Sequence, residues 1–114
     1  MTAQEYLSYP RMLAERMERL IRVQAFLRGR GENERAQQLS PDILKLEKER
    51  AHWRKRVEGR LALLPDEQER FALSLRYLEG MRSEDIAETM SYCERQIYRI
   101  LKRGLMHIDY LLAS

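Results

Sequence analysis

Six side chains with reach and hydrogen-bonding capacity crowd into one short stretch: Glu94, Arg95, Gln96, Arg99, Lys102 and Arg103. Four cations against one acid give residues 94–103 a local charge of +3. Their types suit the edges of nucleic-acid bases. Arg pairs bidentately with guanine, Gln with adenine, and Glu accepts from the amino group of cytosine. Residues at the start of a groove-reading helix meet base edges, and later basic residues meet phosphates. The sequence therefore predicts Glu94, Arg95, Gln96 and Arg99 as base-reading residues, with Ser83, Tyr98, Lys102 and Arg103 at phosphates. Tyr98 fits packing against the N-terminal helices equally well.

Such a helix has to be held at a steep angle by a partner, and the spacing supplies one. Ser83 reads as an N-cap, with Glu84 and Asp85 as acidic first-turn residues. Ile86, Ala87 and Met90 then form the inner face of a short helix. Two helices crossing within a three- or four-residue turn need a small residue at the crossing, which Ala87 provides. Ser91 stands where the turn must tolerate a tight backbone, and Ile97 plugs the angle between the helices. Ile86, Ala87, Ser91 and Ile97 in register predict a helix-turn-helix over residues 81–105.

Three helical blocks precede it. The first covers residues 2–27, with Leu13, Met17, Leu20 and Leu27 as its apolar spacing; Pro10 either sits in its first turn after Ser8 or kinks it. Residues 29–39 read as a polar loop. Ser40-Pro41-Asp42 then starts a helix, with Ser40 capping it, and Ile43, Leu46, Trp53, Val57, Leu61 and Leu64 form one stripe that Arg50 interrupts. Pro65 marks a boundary, and a helix over residues 66–78 buries Ala72, Leu75 and Leu78 before Gly80 ends it.

The 114 residues fit one modest domain, or a small domain with a helical appendage. Only ten are β-branched, which disfavours sheet. The fold class expected is all-α: a coiled-coil-like helical hairpin arm over residues 1–64 and a helix-turn-helix domain over 65–114. Residues 1–64 hold fourteen Lys or Arg against nine acids; residues 65–114 hold seven against nine. The half assigned to nucleic acid is thus acidic, so the overall pI carries no argument and the local +3 does. A single cysteine, Cys93, excludes an internal disulfide and fits a cytoplasmic location; it reads as a weak cap. No run is apolar enough for a membrane span. His52 and His107 lack companion ligands, so neither metal nor cofactor is expected, and no nucleophile–base–acid set marks an enzyme.

Leu64-Pro65, Glu69-Arg70, Leu73, Leu75-Arg76-Tyr77, Glu79-Gly80, Glu84-Asp85-Ile86-Ala87 and Ile97 together resemble region 4 of bacterial sigma factors, a small helical unit whose helix-turn-helix reads promoter DNA. That resemblance covers residues 63–112. The run from Tyr92 to Arg99, Tyr-Cys-Glu-Arg-Gln-Ile-Tyr-Arg, more closely resembles phage and prophage regulators of the ArpU/RinA kind. Met1-Thr2-Ala3-Gln4-Glu5-Tyr6-Leu7 is similar to the opening of small phage proteins with this C-terminal domain. The resemblance implies regulation of phage operons such as late genes. Housekeeping sigma factors carry other residues where this chain has Glu94, Arg95, Tyr98 and Arg99, so the usual promoter element is not the expected target.

Double-stranded DNA is the expected partner, with RNA polymerase as a second. Tyr6, Tyr9, Leu13, Leu20, Trp53 and Val57 outnumber what two isolated helices can bury, which points to a homodimer or higher oligomer through residues 1–64. Two other roles fit the same residues. One is a terminase small subunit recognising packaging DNA. The other is a protein-interaction module using the acids Asp66, Glu67, Glu69, Glu84, Asp85 and Glu88. The basic run His52-Trp53-Arg54-Lys55-Arg56 reads as a solvated face, with phosphate contact or an acidic partner as the lesser alternative.

Overall fold

The computed structural model describes residues 1–113, and among them every regular element is helical. In chain order these are α1 (Ala3–Gly29), α2 (Asn33–Gln37), α3 (Ser40–Leu61), α4 (Glu67–Leu73), α5 (Ser83–Met90) and α6 (Glu94–Ala113). A single π-helical turn, Ser74–Leu78, extends α4. Among the described residues no helix is long and apolar enough to cross a membrane.

Two compact units divide the chain: Met1–Ser8 with the chain from Arg54 onward, and Tyr9–Trp53. In the second, α1 and α3 meet at Tyr9 and Trp53, whose ring centroids lie 4.7 Å apart. Toward the other end, the buried Gln24 donates to the Ala36 carbonyl at 2.9 Å and to Ser40 Oγ at 3.0 Å. Those two sets of contacts, Tyr9 with Trp53 and Gln24 with Ser40, require antiparallel helices.

Several local expectations need correction in this unit. Pro10 lies inside a continuous helix that begins seven residues before it, rather than in the first turn. Thr2 Oγ1 accepts from Glu5 N–H and caps that start. Residues 29–39 are not all loop. Gly31, at φ +78°, lets Glu32 N–H reach back to Leu27 O at 2.9 Å, which ends α1. The freed chain makes one more helical turn, α2, whose Ala36 is fully buried. Ser40 does not cap α3, because helical bonding already starts at Leu39 O, which accepts from Ile43 N–H, and the Ser40 hydroxyl accepts from Gln24.

The other unit is built on α4, α5 and α6. Asp66 caps α4, its Oδ1 accepting from Gln68 and Glu69 N–H, and this fixes which face turns inward. Ala72 and Leu73 are fully buried on that face, whereas Leu75 and Leu78, expected in the core, are half-buried. The π-helical turn accounts for the difference: one extra residue per turn rotates the segment after Leu73 off the helical register. Gly80, at φ +68°, and a bond from Met81 N–H to Leu75 O close the turn. Arg54 ties the end of this segment to α3, donating to Leu78 O and pairing with Glu58 and Glu79. Ala3 N–H donates to Asp109 Oδ1 at 2.6 Å, so a carboxylate on α6 satisfies an orphan donor at the start of α1.

Candidate nucleic-acid interface

The inner face of α6 is Ile97, Ile100, Leu101, Gly104 and Ile108, all buried and spaced by three and four. Gly104 lies close to α4: a Cβ there would stand 2.8 Å from Leu73 Cδ1, so the Leu73 side chain would have to shift. Against this face α5 lays Ile86, at 0% exposure, and Ala87, at 5%. Ile97 is fully buried too.

The turn between α5 and α6 has three residues. Ser91 sits at φ 58°, ψ 40°, the one non-glycine residue with positive φ among those described. Its left-handed backbone brings Tyr92 N–H to Ala87 O at 2.9 Å, the same closure that Gly31 makes after α1. Gln68 on α4 hydrogen-bonds the Tyr92 hydroxyl and fixes the turn from the side. Ser83 is not the cap of α5. Arg82 is the residue with extended backbone there, and its guanidinium pairs with Glu84 and Asp85, while Ser83 is the first helical residue and half-buried.

The start of α6 is closed by Gln96, a residue expected at base edges. Gln96 Oε1 accepts from Cys93 N–H at 3.3 Å and lies 3.6 Å from its Sγ, and Cys93 O accepts from Ile97 N–H. This is a capping box with Cys93 as cap and Gln96 as the residue reaching back. Bidentate pairing with adenine needs both ends of the carboxamide, and here the oxygen is in use. Gln96 therefore offers its NH2 group alone while the box is closed.

Outward, the positions fall into two groups. Glu94, Arg95, Arg99 and Lys102 are exposed, and Tyr98 is 63% exposed. Arg95, Arg99 and Lys102 follow at steps of four and three, hence on one helical face. Among the described residues none of the three has an ion pair or side-chain hydrogen bond. Arg54, Arg82 and Arg103 all do.

Arg103, expected at phosphate, is engaged inside the chain. Its Nε lies 2.9 Å from Glu69 Oε2 and its Nη2 3.8 Å from Asp66 Oδ2. Glu69 is only 1% exposed, and its other oxygen stands 2.6 Å from His107 Nδ1. A carboxylate taken out of water requires such partners, so Arg103 is held by the fold. The same burial removes Glu69 from the acidic surface proposed from the sequence, and Asp66 is occupied as a cap. Neither role was legible, because 34 residues separate Glu69 from Arg103.

The residues thought left over for oligomerisation are also accounted for differently. Tyr6, Leu13 and Val57 are buried within the chain, Tyr9 packs against Trp53 with the rings tilted by 54°, and Leu20 is half-buried. Among the described residues no group of three or more His, Cys, Asp or Glu could hold a metal ion. Comparison with family models, with curated proteins and with solved structures gave no match.

Proposed function

We propose that the chain binds double-stranded DNA sequence-specifically, with α5 and α6 as a helix-turn-helix and α6 in the major groove. One observation carries the reading: three exposed cations, Arg95, Arg99 and Lys102, share one face of α6 with no ion-pair or side-chain hydrogen-bond partner among the described residues. Elsewhere in the same unit Arg54, Arg82 and Arg103 are neutralised by acids. A unit with no net positive charge that gathers three such cations in one stripe is built for an anionic partner of extended shape.

In this reading Arg95 and Arg99 meet base edges, with Glu94 beside them and Gln96 contributing its NH2 group. Lys102 meets phosphate, with Tyr98 and Ser83 at the margins. The antiparallel pair of α1 and α3 forms the helical hairpin arm, and α4–α6 the region 4-like domain. The sequence resemblance of residues 92–99 directs the role toward regulation of phage or prophage operons, in the cytoplasm of a bacterial host.

Selection of bound sites from a random duplex library tests this directly. Enrichment of one sequence, or of two symmetric half-sites, is the expected result. A library that returns no consensus although the protein is folded removes sequence-specific reading.

A further inference from the structure

Two surfaces of this chain remain open and are complementary to each other. The first is a groove of about 670 Å³ in the unit containing α4. Leu61, Phe71, Leu78 and Met90 give it an apolar floor, and Glu58 and Glu67 stand on its rim. Phe71 is 48% exposed, a large cost for an aromatic ring left in water. Glu67 has no ion-pair partner among the described residues, and Arg70, also at the groove, turns its guanidinium to the Leu64 and Pro65 carbonyls. Glu58 is paired with Arg54, so the groove is apolar with Glu67 as the unpaired acid at its edge.

The second surface lies on α1. Arg19, Arg22, Val23, Phe26 and Arg30 repeat at steps of three and four and so share one face, and all are exposed. Val23 is 47% and Phe26 62% exposed, and Arg30 stacks over the Phe26 ring at 5.6 Å. Arg19 and Arg22 have no acidic partner among the described residues. This is an apolar ridge with a basic edge, in the spacing by which a helix enters a groove.

We infer that the α1 ridge of one copy docks into the α4 groove of a second copy, with Val23 and Phe26 on the apolar floor and Arg19 and Arg22 at the acidic rim. If each copy gives a ridge and receives one, the contact closes as a two-fold dimer and leaves no free end. Met90 suits such a floor because its unbranched thioether adapts to the side chain it meets. For the DNA reading, on which the association itself does not depend, the consequence is two α6 helices in one particle. Linking two modest readers raises their joint affinity without any new contact.

Sedimentation equilibrium of the full chain without DNA tests this, so its outcome is independent of whether DNA is bound. The wild type is expected to dimerise at submillimolar concentration. Arg19→Glu with Arg22→Glu reverses the ridge, and Glu67→Lys reverses the rim. Each variant should weaken self-association by about tenfold or more, since like charges then face each other. Mixed in equal amounts the two variants should recover a heterodimer, because both reciprocal contacts become attractive. Phe26→Ser, at an exposed position, gives a charge-independent variant that should be monomeric, and circular dichroism checks that every variant is folded. A wild type that stays monomeric at all concentrations overturns the proposal. So does a folded charge variant that dimerises as the wild type does, or a folded pair that fails to recover on mixing.

Discussion

Replacing Arg103 by alanine removes the main counter-charge of a carboxylate that is only 1% exposed. Breaking a buried pair by deleting one partner costs about 3–5 kcal/mol, mostly from the charge left behind. Two features reduce that figure here. His107 still contacts the other oxygen of Glu69 at 2.6 Å, and the Arg103 side chain is itself 49% exposed, so its attraction was partly screened. A loss of about 2–3 kcal/mol is the expected result, equivalent to a fall in melting temperature of roughly 8–12 °C for a chain of this size. Adding Glu69→Gln to Arg103→Ala should return part of that loss, because the orphaned charge disappears while the side-chain volume is kept. Differential scanning calorimetry of the four members of this cycle measures it. DNA binding by Arg103→Ala, assayed well below its melting point, should keep the wild-type salt slope. An unchanged melting temperature together with a salt slope flattened by about one unit would refute the structural role and make Arg103 a phosphate contact after all.

Other outcomes follow from single positions. Ser91→Gly should stabilise by about 0.5–1 kcal/mol in chemical denaturation, since glycine enters the left-handed region without a Cβ penalty, as Gly31 does after α1. Gly104→Ala should destabilise despite alanine's helix propensity. Overpacking against the buried Leu73 costs about 1–3 kcal/mol while the propensity gain is about 1 kcal/mol, and a more stable variant would contradict the close approach of α4 and α6. Burial pushes the Tyr77 hydroxyl above its ordinary pKa of 10.0, with Arg76 opposing the shift. The unfolded chain therefore releases that proton first as pH rises, so stability is full below pH 10 and declines above it, and Tyr77→Phe should flatten the decline in a pH series of melts. Arg95→Ala or Arg99→Ala should each weaken binding to a selected site by about 1–3 kcal/mol and relax its sequence preference, as seen by repeating the selection with each variant.

The contrast between what sequence conveyed and what it withheld follows the range of the interactions. Ala87, Ser91 and Ile97 lie within eleven residues, and their types answer to local demands: a small crossing residue, a left-handed turn, an apolar plug. The structure buries the first and last of these and puts Ser91 at φ 58°. The short helix α2 escaped because residues 29–39 carry turn and polar signals, and its stability comes from Gln24, twelve residues away from Ala36 on α1. The π-helical turn has no composition signature, so helical periodicity puts Leu75 and Leu78 on a face that the backbone rotates away. Arg103 looked like its neighbour Lys102 because both are basic and on α6. Only the arrival of Glu69 from α4 separates a structural cation from a free one. Gln96 shows a local signal with two meanings: the same residue type that suits adenine also closes a capping box on Cys93.

The central claim is that the unpaired stripe on α6 exists to meet DNA. Fluorescence anisotropy with a labelled duplex, titrated by the full chain between about 50 and about 200 mM salt, tests it most directly. Each phosphate neutralised contributes about 0.9 to the slope of log affinity against log salt. Wild type should bind tightly at the low end and weaken steeply across the range. The variant Arg95→Ala, Arg99→Ala, Lys102→Ala should lose affinity through all three positions and flatten the slope by about 0.9, the share of Lys102, which is the one of the three placed at phosphate. Absence of binding by the wild type at low salt, or a triple variant whose slope matches the wild type, would contradict the account.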